Sequence, residues 1–302
     1  MDRFDTMSVL LAVVEEGSLS AGARRLRVPL ATVSRKVSDL EAHLGTQLLV
    51  RTSRQVMLTD SGRSYVEAAK RILEQVEEAE RSAAGEHSEP RGQLSITTPV
   101  VFGRLHVLPI AADFLNAHPN INLRMYMIDR YVNLLEENLD VGVRLGHLQD
   151  SALRATRVGQ VRRVICASPA YIARCGIPKV PDDLRQHQGI SFQGFATSPE
   201  WRYRGDNETL AVEARNRVVV NTTEAAVDAA LAGLGIVRLL SYQVIEKIQS
   251  GELVPLLEEF APDPIPVQLI YAEQGMLPVK VRAFLDWITP RLRSRLAELG
   301  LD

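Results

Sequence analysis

The chain has 302 residues, 46% hydrophobic and 24% charged, with a formal net charge of −2, which is the balance of a globular protein of about two domains and excludes a disordered chain. Two cysteines, Cys166 and Cys175, and six scattered histidines exclude a disulfide framework and a metal-ligand cluster by spacing. No run approaches the apolar length of a membrane span, and Met1-Asp-Arg-Phe-Asp lacks the order of a signal peptide, so a cytoplasmic protein is expected.

In chain order, Phe4, Met7, Leu10, Leu11 and Val14 recur at helical spacing and predict an amphipathic helix over 4–15. Glu16-Gly-Ser18 ends it, and Ser18 or Ser20 suits the N-cap of a second helix reaching Leu26. A third helix is predicted from about Pro29 to His43, with Pro29 in its first turn and Gly45 as its stop. Val33, Val37, Leu40 and Leu44 fall on one face of it. Thr32, Ser34, Arg35, Lys36 and Ser38 fall elsewhere, and all can hydrogen-bond to base edges or phosphates. This is the layout of a helix-turn-helix with its recognition helix second. The apolar period then shortens: Gln47–Val50 and Val56–Leu58 flank Arg51-Thr-Ser-Arg54, predicting a two-stranded wing with Arg51 and Arg54 at its tip. Between Gly17 and Arg63 eight basic residues stand against three acidic ones, a local +5 that marks a phosphate-binding surface.

Thr59-Asp-Ser61 opens a long helix. In it Tyr65, Ala69, Ile72, Val76, Ala79 and Ala83 alternate steps of four and three, the seam of a short coiled coil with a second copy. Gly85 to Gly92 is polar, with Gly and Pro, and reads as a linker. Beyond it, strands are predicted at 94–98, 121–128, 140–144, 164–167, 190–192, 201–203, 218–220, 233–237 and 267–271. Helices are predicted at 99–117, 129–138, 169–175, 222–232 and 279–296. The alternation predicts βαβ units and a mostly parallel sheet. Thr97-Thr98-Pro99 and Asn221-Thr222-Thr223 stand at strand-to-helix corners, and Arg144 ends a strand. Their hydroxyls, free helix N–H groups and positive charge suit a carboxylate, although helix capping and a surface ion pair account for the same residues equally well.

There is no Gly-x-Ser-x-Gly, phosphate loop or dinucleotide fingerprint, so neither an enzyme nor a cofactor is expected. Cys166 lies in an apolar strand and reads as inert rather than as a redox sensor. A winged helix that binds protein rather than DNA remains the alternative the motifs leave open.

Taken together, the chain resembles the LysR-type transcriptional regulators. The resemblance is carried by Gly17-Ser-Leu-Ser-Ala-Gly-Ala-Arg-Arg-Leu, Val33-Ser-Arg-Lys-Val, Leu40-Glu-Ala-His-Leu-Gly, Leu48-Leu-Val-Arg-Thr and Leu58-Thr-Asp-Ser-Gly. Looser matches follow at Phe114-Leu-Asn-Ala-His-Pro, Leu139-Asp-Val-Gly-Val-Arg and Ala232-Gly-Leu-Gly-Ile. It implies an N-terminal winged helix-turn-helix (1–60), a linker and dimerisation helix (59–88) and a C-terminal α/β effector domain (91–302). That domain would be two-lobed and periplasmic-binding-protein-like, with lobe I at 92–163 and 267–302 and lobe II at 164–266. The implied partners are double-stranded operator DNA, a small-molecule effector (a small organic acid on the corner chemistry above) and further copies of the chain as a dimer or tetramer, with no membrane. The expected DNA contacts are Ser20, Thr32, Ser34, Arg35, Lys36, Arg51 and Arg54. The expected effector contacts are Thr97, Thr98, Pro99, Arg144, Phe195, Asn221, Thr222 and Thr223. Two departures stand out. Pro29-Leu-Ala31 replaces the family's frequent Ser-Gln-Pro, and Leu30 can touch only a thymine methyl. Arg238 and Leu240 stand where relatives often carry an apolar residue and a proline.

Overall fold

The computed structural model describes residues 2–51, 56–83, 89–146, 153–192, 201–204, 209–212, 215–272 and 277–301, with the backbone alone at 51, 78, 81–83, 201–204 and 209–212. The chain divides into two units, 1–89 and 90–302.

In the first unit Asp2 caps α1 (Arg3–Glu15), its carboxylate accepting the N–H of Phe4 at 3.0 Å. Ser18, not Ser20, caps α2 (Leu19–Leu26) by accepting the Ala21 N–H at 3.1 Å. Arg27 ends α2 in the left-handed region at φ 56°. α3 (Leu30–Leu44) starts from the Pro29 carbonyl, which accepts from Thr32 and Val33, and stops at Gly45 with φ 67°. Val33, Val37 and Leu40 bury against Val9, Leu10 and Val13 of α1 and Ala23 of α2. β1 (Leu49–Arg51) and β2 (Val56–Leu58) pair antiparallel with Leu49 opposite Leu58, forming the wing. Glu41 of α3 ties the wing down, its Oε1 accepting the N–H groups of Leu48 at 2.8 Å and Leu49 at 3.0 Å. α4 (Asp60–Ala83) then runs for 24 residues. Ala69 of its apolar seam is buried, whereas Ile72 and Ala79 are exposed and Ala83 lacks a described side chain.

The second unit holds two five-stranded sheets. Its chain runs β3 (Gly92–Thr98), α5 (Val100–Phe102), a π-helical turn (Gly103–Val107), α6 (Leu108–Ala117), β4 (Ile121–Met127), β5 (Val141–Leu145) and β6 (Leu153–Val161). It continues through β7 (Arg163–Ala167), α7 (Pro169–Cys175), a 3₁₀ turn (Pro181–Gln186), β8 (Gln188–Phe192), β9 (Trp201–Arg204) and β10 (Thr209–Val212). Next come β11 (Arg215–Val220), α8 (Thr223–Leu231), β12 (Ile236–Leu240), α9 (Ser241–Gln249), β13 (Val254–Leu256), β14 (Ile265–Ala272) and α10 (Val279–Glu298). The first sheet has the order β4-β3-β5-β14-β6 and the second β11-β8-β12-β7-β13.

Both sheets are mixed, not mostly parallel. β4-β3-β5 run parallel, but β14 returns from the second sheet and inserts antiparallel between β5 and β6. β7 is likewise antiparallel to β12 and β13. Strands that follow a crossing between sheets need not obey the βαβ rule, and β6, β10, β13 and α9 were not predicted. The helix expected at 129–138 is absent. Asn133 takes the N–H of Leu135 at 3.1 Å, and Asn138 at φ 57° breaks the turn while Leu134 and Leu139 bury.

Residues 100–117 correct a second expectation, being apolar and long enough by composition to cross a membrane, with a mean hydropathy of 1.3. Here Val101, Phe102, Val107, Ile110, Ala111 and Phe114 instead line the main core with Phe284, Ile288 and Leu292 of α10. The π-helical turn falls where Gly103 meets Thr98, whose Cγ2 would stand 2.3 Å from a Cβ there. His106 in that turn is 4% exposed beside Phe102 and Tyr242, and neither ring nitrogen has a partner among the described residues. Burial lowers its pKa to about 4. In the unfolded chain it titrates near 6.5, so the unfolded state binds more protons between those values. Stability is therefore full above about pH 6.5 and falls as pH drops toward 4, by at most about 1.4 kcal/mol per pH unit. Denaturation of His106→Phe across that window is expected to lack this component; an unchanged pH dependence would refute it.

Candidate nucleic-acid interface and effector cleft

A helix turns about 100° per residue, so the buried stripe Val33–Val37–Leu40 puts Ala31, Arg35 and Ser38 on the outward face of α3. Arg35 is exposed and makes no ion pair among the described residues, while Thr32 and Ser34 flank it half-buried. Lys36 lies on the flank nearer α1, where its Nζ meets Asp5 Oδ2 at 2.5 Å. That pair fastens α3 to α1, a role the sequence did not reveal. Ser20 is exposed in the first turn of α2, its Oγ 3.4 Å from that of Ser18. With Pro29 as N-cap, no side chain caps the first turn of α3. Its N–H groups and positive dipole end suit a phosphate. Leu30 stands beside them at 50% exposure.

The local positive charge is smaller in the fold than in the sequence. Arg25 pairs with Glu15 at 2.6 Å and Glu16 at 3.4 Å, which raises its pKa. Arg63 pairs with Asp60. Arg24, Arg27 and Arg35 are exposed without such pairs among the described residues. The Arg51 side chain and all of Arg54 lie outside the described residues.

In the second unit, alternation along β3 sends Thr97 and Thr98 to opposite faces, so the pair does not form one cluster. Thr98 faces Gly103, its Oγ1 3.4 Å from the Pro99 carbonyl. Pro99 is the N-cap of α5, and Asp129 takes the adjoining Val100 N–H at 3.0 Å. Thr97 pairs in register with Gly142, so it shares a face with Arg144 two residues on. Thr97 Oγ1 and Arg144 Nε are both buried without partners among the described residues. Among the described residues the Arg144 guanidinium otherwise donates to the Val143 and Val132 carbonyls, at 3.0 and 3.5 Å. Burial lowers its pKa, and the nearby Glu137 is taken by Arg130 at 2.7 Å.

A cavity of about 230 Å³ lies between the π-helical turn and α8–α9. Thr223 lines it together with Arg104, Glu224 and Tyr242. Arg104 Nη2 meets Glu224 Oε1 at 3.3 Å, joining the two lobes at this point. Thr222 is spent as the α8 N-cap, accepting the Ala225 N–H at 3.3 Å, and Asn221 is exposed. Phe195 lies outside the described residues. Asp129 and Arg104 gave no local signal in the sequence, being single charges without periodicity.

Residues 4–63 match the model of the bacterial regulatory helix-turn-helix protein, lysR family, and residues 87–293 that of the LysR substrate binding domain. The regulator CrgA of Neisseria meningitidis is 34% identical over 97% of this chain and 98% of its own. The activator AaeR of Escherichia coli is 33% identical over 96% and 94%. A crystal structure of CrgA superposes with a TM-score of 0.61, covering 95% of this chain and 98% of that one. Full-length AphB of Vibrio cholerae also gives 0.61, at 26% identity and the same coverage.

Proposed function

The chain belongs to the LysR family of DNA-binding transcriptional regulators, and from that premise we propose how its own residues read DNA and sense an effector. Arg35, Thr32 and Ser34 enter the major groove from α3, and Leu30 meets a thymine methyl. The free N–H groups at the start of α3 and the wing hold phosphates. Ser20, Arg51 and Arg54 add backbone or minor-groove contacts, and Lys36 contributes chiefly through Asp5. Two copies pair through the exposed part of the α4 seam, where Ile72 is 37% exposed, and so present two half-sites. The protein acts in the cytoplasm, where its operator is. The observation that carries the DNA reading is Arg35 at the centre of an otherwise uncapped, outward helix face. Footprinting on the DNA upstream of its own gene tests it. Protection of two-fold related half-sites about one helical turn apart is expected. Protection without sequence preference would count against it.

The effector we propose is a small organic acid. Support comes from Arg144 Nε and Thr97 Oγ1, two buried polar atoms on one sheet face with no hydrogen-bond partner among the described residues. The 230 Å³ cavity, lined by Thr223 and Arg104, offers room for such a ligand. Arg144→Gln is expected to weaken the acid that responds in a calorimetric panel at least tenfold, about 1.4 kcal/mol or more. A panel in which only neutral or cationic compounds bind would sink the assignment.

A further inference from the structure

The wing is small, and its place beside α3 is set from outside itself. β1 and β2 share three residue pairs, from Leu49–Leu58 to Arg51–Val56. A two-stranded hairpin of that size is marginally stable on its own. Hydrogen bonds on three sides fix it. The Val56 N–H donates to the Gly17 carbonyl at 3.2 Å, in the turn between α1 and α2. Thr59, just ahead of α4, donates its N–H to the Leu48 carbonyl at 3.0 Å and its hydroxyl to the Gln47 carbonyl at 2.8 Å. The third side is held from the recognition helix, through Glu41. Its carbonyl accepts the Thr46 N–H at 3.2 Å, and its Oε1 accepts the N–H groups of Leu48 and Leu49 at 2.8 and 3.0 Å. One residue of α3 thus organises the link from that helix to β1.

An acid at this place does not serve the helix. Glu41 stands in the last turn of α3, where a negative charge opposes the helix dipole. What an anion supplies is a strong acceptor, since an ionised carboxylate binds an N–H about twice as strongly as a neutral group does. Leu48 and Leu49 are 1% and 3% exposed, so their N–H groups need a partner within the fold. Both are taken by one oxygen of an α3 side chain, so a rotation of α3 carries β1 with it. We propose that Glu41 is a positioning residue for DNA reading, one that locks the wing to the recognition helix so that both meet the duplex together. The proposal rests on the DNA reading above and adds the coupling within it. Base discrimination stays with Arg35, while the wing's grip on phosphates depends on Glu41.

Fluorescence anisotropy of the full-length protein on the footprinted site and its single-base variants, across a salt series, tests it, with circular dichroism of each variant alongside. E41A should weaken operator binding about tenfold and flatten the salt dependence by about one phosphate contact, yet keep the wild-type preference among the single-base variants. E41Q retains an Oε1 that can accept both N–H groups and should bind within about threefold of the wild type. E41D keeps the charge but falls short of the wing, and should behave as E41A does. R54A should cost clearly less in E41A and E41D than in the wild type, because the substitutions remove one shared contribution. If E41A is unfolded, E41D and E41Q decide on the same readouts. Equal losses from R54A in wild type and E41D would overturn the proposal. So would a wild-type salt slope in E41D, or the disappearance of base preference in a folded E41D. A wild type with no preference for the footprinted site would overturn the DNA reading itself, and with it the part assigned to Glu41.

Discussion

Gly62→Ala is expected to unfold the N-terminal unit and abolish DNA binding, while leaving effector binding in place. Gly62 sits in the first turn of α4, against the backbone of Leu48. A Cβ there would stand 2.0 Å from the Leu48 carbonyl oxygen. The oxygen cannot retreat, because it accepts the Thr59 N–H at 3.0 Å and the Leu48 N–H is held by Glu41 at 2.8 Å. The Leu48 side chain is itself 1% exposed in the core. Neither helix nor wing can yield without losing these bonds, so the clash costs on the order of 3–5 kcal/mol. Urea denaturation followed by circular dichroism should show an early transition absent from the wild type. A shift under about 0.5 kcal/mol would show that α4 and the wing do not meet so closely.

Arg35→Ala is expected to reduce operator affinity about 10- to 100-fold and to relax specificity at one base position. A bidentate arginine–guanine contact contributes about 1–3 kcal/mol of discrimination. Arg35 makes no ion pair among the described residues, so its removal should leave the unit's stability nearly unchanged. Lys36→Ala should behave differently. It breaks the pair with Asp5, both partly exposed, so its effect on stability is at most about 1 kcal/mol. Fluorescence anisotropy on the footprinted site and on single-base variants separates the two. If Arg35→Ala bound every variant as tightly as the wild type does, Arg35 would not be reading a base.

The N-terminal unit was legible because its signals are local. Ser18 and Gly45 act within a turn of the helices they bound, and the Val33–Val37–Leu40 stripe states its face directly. The second unit was legible only in part. The strand order depends on β14 returning between β5 and β6, a pairing across more than a hundred residues that no local pattern announces. The 129–138 segment shows a different failure. Its apolar spacing suited a helix, but Leu134 and Leu139 are buried from a turn that Asn133 and Asn138 shape. At the sites, residue types were readable and their partners were not. Lys36 proved to be held by Asp5 across an interface between helices. Thr97 and Thr98, adjacent in sequence, point to opposite faces.

That the outward face of α3 reads DNA is tested most directly by the affinity of the purified protein for its footprinted site and a scrambled duplex across a salt series. The scrambled duplex should bind through phosphates alone and weaken steeply with salt, as counterion release requires. The footprinted site should bind at least about a thousandfold more tightly at moderate salt, with Arg35→Ala removing much of that margin. Equal affinity for the two duplexes at every salt concentration, unchanged by Arg35→Ala, would contradict it.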